Sequence, residues 1–173
     1  MRLRICAAAA VCVFLSSKGL LAANLQLDLG ADEDLAAAIE TSSLVAEAAR
    51  SDDASRRDIV AAAQADYSRL LAVLFEAGHF SPVISILVDG TEAAALPSIG
   101  TTGDVGTVTI TVQPGPIFLF GAATIGPLPD GVLPPEGFAT GAQAGTAILR
   151  TATGDGIDAW RARGHAKAAL AGQ

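Results

Sequence analysis

Apolar positions along the chain fall into blocks of two different periods. The segment NLQLDLG, Asn24 to Gly30, alternates Leu25, Leu27 and Leu29 with polar neighbours, which predicts a short half-buried strand closed by glycine. Asp32, Glu33 and Asp34 then open a helix, where carboxylates complement the positive end of the macrodipole. Leu35, Ala38, Ile39 and Ser42 mark its inner face, and it continues through Leu44 and Val45 before yielding at Ser51-Asp52-Asp53. A second helix starts at Ser55, with Asp58 placed as a capping-box partner. It carries Ile59, Ala63, Tyr67, Leu70 and Leu74 at three- and four-residue spacing and stops at Gly78. Ala61, Ala62, Ala63 and Ala65 keep part of it thin, so a neighbouring element can come close.

Beyond His79 the period changes to two. VISILV, Val83 to Val88, puts Ile84, Ile86 and Val88 on one side and Val83, Ser85 and Leu87 on the other, and Asp89-Gly90 supplies a turn. TVTITVQ, Thr107 to Gln113, is the cleanest strand, with Val108, Ile110 and Val112 inward and threonines towards water. The roughly sixteen residues between these strands form a loop longer than a hairpin needs. Pro114-Gly115-Pro116 then ends the unit, because two prolines in three residues cannot continue a paired strand. A further apolar strand begins at Ile117 to Phe120 and runs towards Ile125, followed by the Pro/Gly-rich loop GPLPDGVLPPEGFATG. From Ala144 a helical pattern returns through Ile148, Leu149, Ile157 and Trp160, with a break expected at Gly154 and Gly156.

The beginning of the chain is different material. Arg2 and Arg4 precede an unbroken apolar run from Ile5 to Leu15, then SSKG and the small pair Ala22-Ala23, the arrangement of a secretory signal peptide over residues 1–23. Such a run rises only about 16 Å as a helix, too short for a permanent membrane span. Overall, 11 basic and 18 acidic residues give a charge of −7 in 173 residues. Without residues 1–23 the chain loses Arg2, Arg4, Lys18 and both cysteines, Cys6 and Cys12, leaving a cysteine-free segment of charge −10. That excludes disulfides, thiol chemistry and cysteine-based metal sites in the mature part. The acidic balance argues against nucleic acid, since little is present to neutralise phosphates.

LLAVLFEAGHFSPVI, which ends the second helix, and IDAWRARGHAKAAL, which ends the third, share an aromatic residue shortly before a Gly-His pair: Phe75 before Gly78-His79, Trp160 before Gly164-His165. Strand, two helices and two strands, with this repeat, the segment DYSRLLAVLFEAGHFSPVISILVDG and the segment VTITVQPGPIFLFGAATI, resembles the POTRA (polypeptide-transport-associated) region of TamA-like outer-membrane assembly proteins of the BamA superfamily. The resemblance runs from about Leu25 to about Leu170. It implies an α+β fold: a POTRA-like β-α-α-β-β unit over 24–113, a three-stranded sheet covered by two helices, followed by an incomplete second unit over 114–173. It also implies an exported protein on the periplasmic side of the bacterial outer membrane. The second unit stops after its Gly-His, and the strands of a C-terminal β-barrel, through which membrane association would come, are missing from the sequence given; the chain is therefore expected to be an N-terminal fragment.

No catalytic constellation accompanies His79 or His165, the two histidines, so each is read as a polar or cationic group at a helix C-terminus, and no metal or other cofactor is expected. GTTGDVG, Gly100 to Gly106, leads into a strand and is read as a turn, not a phosphate loop. Binding through backbone remains: an unpaired sheet edge can take up an extended peptide as a further strand. In POTRA domains that edge is the second strand, which corresponds to Val83, Ile84, Ser85, Ile86, Leu87 and Val88. The implied partners are unfolded outer-membrane protein clients and assembly-complex subunits. On this reading proline at Ile86 removes a ladder hydrogen bond and weakens binding. The competing readings are an autonomous periplasmic adaptor or ligand-binding domain and, with less support, a small hydrolase using Ser85, His79 and an aspartate.

Overall fold

A computed structural model describes residues 23–97 and 102–171 of the protein. Residues 1–22 of the expected signal peptide, with both cysteines, lie outside the described residues, as do Ser98, Ile99, Gly100 and Thr101 of the long loop. The fold is α+β, with a four-stranded mixed sheet in the order β1-β4-β2-β3. Its strands are β1 (Asn24–Leu29), β2 (Val83–Val88), β3 (Thr91–Glu92) and β4 (Thr107–Gln113). The helices are α1 (Glu33–Ser42), α2 (Leu44–Arg50), α3 (Arg56–Glu76) and α4 (Thr146–Ala162).

β4 lies at the centre of the sheet, paired with β1 on one side and β2 on the other. Val108, Ile110 and Val112 are completely buried and face α1–α3, while Thr107, Thr109 and Thr111 stay half-buried on the other side. Full burial of such a side chain contributes about 1.5–3 kcal/mol, so these three valine and isoleucine residues anchor the sheet to the helices. β1 runs parallel to β4, with Leu27 opposite Ile110, and β2 runs antiparallel to it, with Ile86 opposite Ile110. Leu25, Leu27 and Leu29 pack against the core but remain half-buried, because nothing flanks β1 on its outer side among the described strands. On the helical side the core is built from Ile39, Val45, Val60, Ala63, Leu70 and Leu74.

The sheet has one more strand than the sequence predicts. Asp89 (φ 51°) and Gly90 (φ 78°) form a tight two-residue turn, and the chain folds back at once as β3, pairing Thr91 with Val88, before a 3-10 turn at Ala93–Ala95. Asp89 fixes this turn by accepting from the Gly106 and Thr107 amides and from Arg56 at the start of α3. Part of the expected loop is therefore strand.

The first predicted helix is divided. Ser43 leaves helical geometry and caps α2, its hydroxyl accepting from Ala46 N–H while donating to Asp66 on α3 at 2.6 Å. The completely buried Asp66 carboxylate also accepts from the Leu44 and Val45 amides, both at 2.9 Å. A carboxylate from a different helix thus satisfies the open N–H groups of α2, which hydrophobic periodicity cannot reveal. The capping box at Ser55 and Asp58 is present, and Gly78 ends α3 region with φ +81°.

Beyond Pro116 two expectations are corrected. Ile117 to Ile125 is not a strand; only Leu119 forms a bridge, to Gln143. Conversely, α4 continues unbroken through Gly154 and Gly156. Gly156 is buried where a side chain would press on Leu128, so it serves close packing inside the helix.

Candidate functional site

Backbone groups determine what the sheet edges can bind, and hydrogen-bond parity assigns them. In β2 the odd residues exchange bonds with β4, as Asp89 N–H continues to do with Thr107 O at 2.8 Å. The N–H and C=O groups of Ile84, Ile86 and Val88 consequently point away from β4. Val88 pairs with Thr91 of β3. Ile86 N–H donates to Glu92 Oε1 at 3.1 Å, and the Tyr67 hydroxyl, whose single proton goes mainly to Glu92, lies 3.4 Å from Ile86 C=O as a weak shared contact. Only Ile84 keeps both outward groups without a partner among the described residues.

Glu92 acts here as a substitute strand. After β3 the chain turns away, and the carboxylate closes the edge instead, receiving Ser85 Oγ at 2.8 Å, Ile86 N–H and the Tyr67 hydroxyl. Burial alone would raise the Glu92 carboxyl, but the three donors outweigh it and hold the group below its ordinary value. Tyr67 is pushed up to about 12, first by burial and then by donating to the Glu92 carboxylate beside it. Gln64 on α3 reinforces the cover by donating to Ala93 O and Leu96 O.

The predicted site residues thus lie together on β2, but in three environments. Val83 is 60% exposed on the open face of the sheet, Ser85 and Leu87 are half-buried, and Ile86 and Val88 are fully buried in the core. The Ile86 N–H that proline would remove points away from β4 and is bonded to Glu92 Oε1. Glu92 and Tyr67 were invisible as site residues because their meeting depends on the tight turn after β2 and on the packing of α3.

The opposite edge, that of β1, pairs with no further strand among the described residues. Asn24 N–H donates to Gly106 O and Gly30 N–H to Val112 O, both at 2.9 Å, so even-numbered residues of β1 face β4 and Leu25, Leu27 and Leu29 direct their backbone groups outwards. Of these groups, Leu29 C=O accepts locally from Ala31 N–H. The others have no partner among the described residues.

His79 and Ser85 are engaged separately: His79 Nδ1 lies 3.0 Å from Gly115 O, and Ser85 Oγ is spent on Glu92. His165 stacks edge-on against Trp160 at 4.9 Å. Among the described residues no group of three or more His, Cys, Asp or Glu could hold a metal ion, and no helix is long and apolar enough to cross a membrane.

The C-terminal part docks on the end of α3. Phe118 N–H donates to Gly78 O, Gln143 Nε2 to Ala77 O and Arg150 to Glu76. Gly78 and Gly145 permit this approach, since a Cβ on either would collide with a backbone carbonyl, that of Ala144 or Glu76. Beside α4 an open groove of about 870 Å³ is lined by Ile125, Leu128, Ile157, Trp160 and His165. No family model, curated protein or solved structure matches the chain.

Proposed function

We propose that the chain works as a POTRA-like module that assists assembly or translocation of outer-membrane proteins, including autotransporters, on the periplasmic side of the bacterial outer membrane. It does so without catalysis, by adding extended client or partner segments to its sheet as further strands. The observation that carries this reading is the sheet itself: β1, β4 and β2 lie side by side under helices, with a parallel pair on one side and an antiparallel pair on the other. That arrangement is compatible with a POTRA-like fold and leaves main-chain groups at its margins, which bind an extended peptide with little regard to its sequence. Tolerance of sequence is what a range of unfolded clients requires.

Photocrosslinking in cells from Val83 on β2 and from Gln26 on β1 tests it. Recovery of nascent outer-membrane proteins or assembly subunits from either position supports the reading, and recovery of neither from both positions refutes it.

A second reading, an autonomous adaptor or ligand-binding domain, is favoured by the groove beside α4, whose walls combine apolar side chains with the Trp160 indole and the His165 ring. Saturable quenching of Trp160, the sole tryptophan, by a small apolar ligand would support it.

A further inference from the structure

We propose that the outer edge of β1 is the binding site of this module, and that it takes an extended, basic strand of alternating apolar and polar residues as the fifth strand of the sheet. This deepens the strand-addition reading and rests on it. The two edges differ in what they leave open. On β2, Val88 is paired, Ile86 is covered by Glu92 and Tyr67, and among the described residues Ile84 alone stays open. On β1 the N–H groups of Leu25, Leu27 and Leu29 and the C=O groups of Leu25 and Leu27 form a continuous row.

The chemistry of the occupant follows from three features of that edge. A row of unpaired N–H and C=O groups at strand spacing is complementary to another extended main chain. Leu25, Leu27 and Leu29 are half-buried, and apolar side chains at alternate positions of an added strand would complete their cover on the helix side. The sign of the charge is set locally: Asp28, Asp32, Glu33 and Asp34 lie on or just after β1, no basic residue stands between Ala23 and Ala49, and the next one, Arg50, is paired with Glu40. A second copy would bring the same carboxylates to the edge, whereas lysine or arginine in the added strand meets an opposite field. The occupant is therefore a cationic amphipathic strand of another polypeptide.

Amide hydrogen exchange of the full chain decides this, with a synthetic peptide of alternating valine and threonine bearing lysine at both ends as the probe. Peptide should slow exchange at the Leu25, Leu27 and Leu29 amides by about tenfold, as for sites about nine-tenths occupied. A peptide with glutamate in place of lysine should bind about tenfold more weakly at low salt. Protection at Ile84 instead of β1 would overturn the inference while leaving strand addition standing; protection at neither edge would overturn both. Protection of β1 that grows with protein concentration without peptide would make a second copy the occupant and overturn the assignment, as would equal affinity for the two peptides. Leu27→Pro removes one outward N–H and no bond to β4, so it should lower peptide affinity while the Val108, Ile110 and Val112 amides stay protected. Undiminished affinity in that variant would contradict the site, and if the variant fails to fold, the wild-type exchange map still decides.

Discussion

Replacing Glu92 by alanine removes one acceptor from three donors, and the structure sets the size of the effect. The Ile86 amide, the Ser85 hydroxyl and the Tyr67 hydroxyl all lose the carboxylate. Hydrogen bonds to a charged group are worth about 1.5–3 kcal/mol each when buried, but these groups are only partly buried and water replaces part of what is lost. A total of about 2 kcal/mol is the reasoned figure, which for a chain of this size lowers Tm by about 4–8 °C. Urea and thermal unfolding of Glu92→Ala measure it. A second readout is free of global stability: Tyr67 is the single tyrosine, so its absorbance titration reports one group. In the native protein that titration is pushed up to about 12; in Glu92→Ala it should fall towards 10 yet stay above it, because burial, the larger cause, remains. Glu92→Gln keeps an acceptor without the charge, and should restore part of the stability while still lowering the tyrosine titration. Unfolding within 0.5 kcal/mol of the parent, together with an unmoved Tyr67 titration, would show that the carboxylate does not close the β2 edge. About 0.5 kcal/mol is the ordinary scatter of surface substitutions.

Three further outcomes are expected. Asp66→Ala leaves Ser43 Oγ and two amides of α2 without their buried acceptor and should cost about 3 kcal/mol in urea unfolding. Gly145→Ala forces a Cβ against the Glu76 carbonyl and should free the part after Pro116 from α3, read as faster proteolysis there while the amides of β4 keep their protection. Glu92 and Asp89 are both held below their ordinary values, although burial opposes this in each: donors from Tyr67, Ile86 and Ser85 act on Glu92, and donors from Arg56, Thr107 and Gly106 act on Asp89. Their stabilisation is present above the unfolded carboxyl values and lost as pH falls through the lower folded ones. Stability should therefore decline below about pH 4.5, and Glu92→Gln should flatten that decline.

The three long strands, the inward face of β4, the capping box at Ser55 and the turns at Gly78 and Asp89-Gly90 were legible because each depends on residues near in sequence. Where distant groups meet, local pattern gave out. A smooth helical period from Leu35 to Ala49 conceals the division at Ser43, since the carboxylate that makes it stands on α3. Gly154 and Gly156 look like breakers, yet tertiary packing against Leu128 makes one of them useful inside α4. The apolar run at Ile117 to Phe120 suggests a strand, but it has only a single-residue bridge to Gln143 and is spent on docking against α3.

Sequence by itself determined the materials of the edges: alternating Leu25, Leu27 and Leu29 on one strand, Ile84, Ile86 and Val88 on another, and the acidic stretch following the first. Which edge is open was decided only in three dimensions. A strand's side-chain period is local and can be read from residues, but the fate of its outward N–H and C=O groups depends on what folds beside it. Beside β2 the chain turns back to supply Glu92, and α3 supplies Tyr67; beside β1, among the described residues, it supplies nothing.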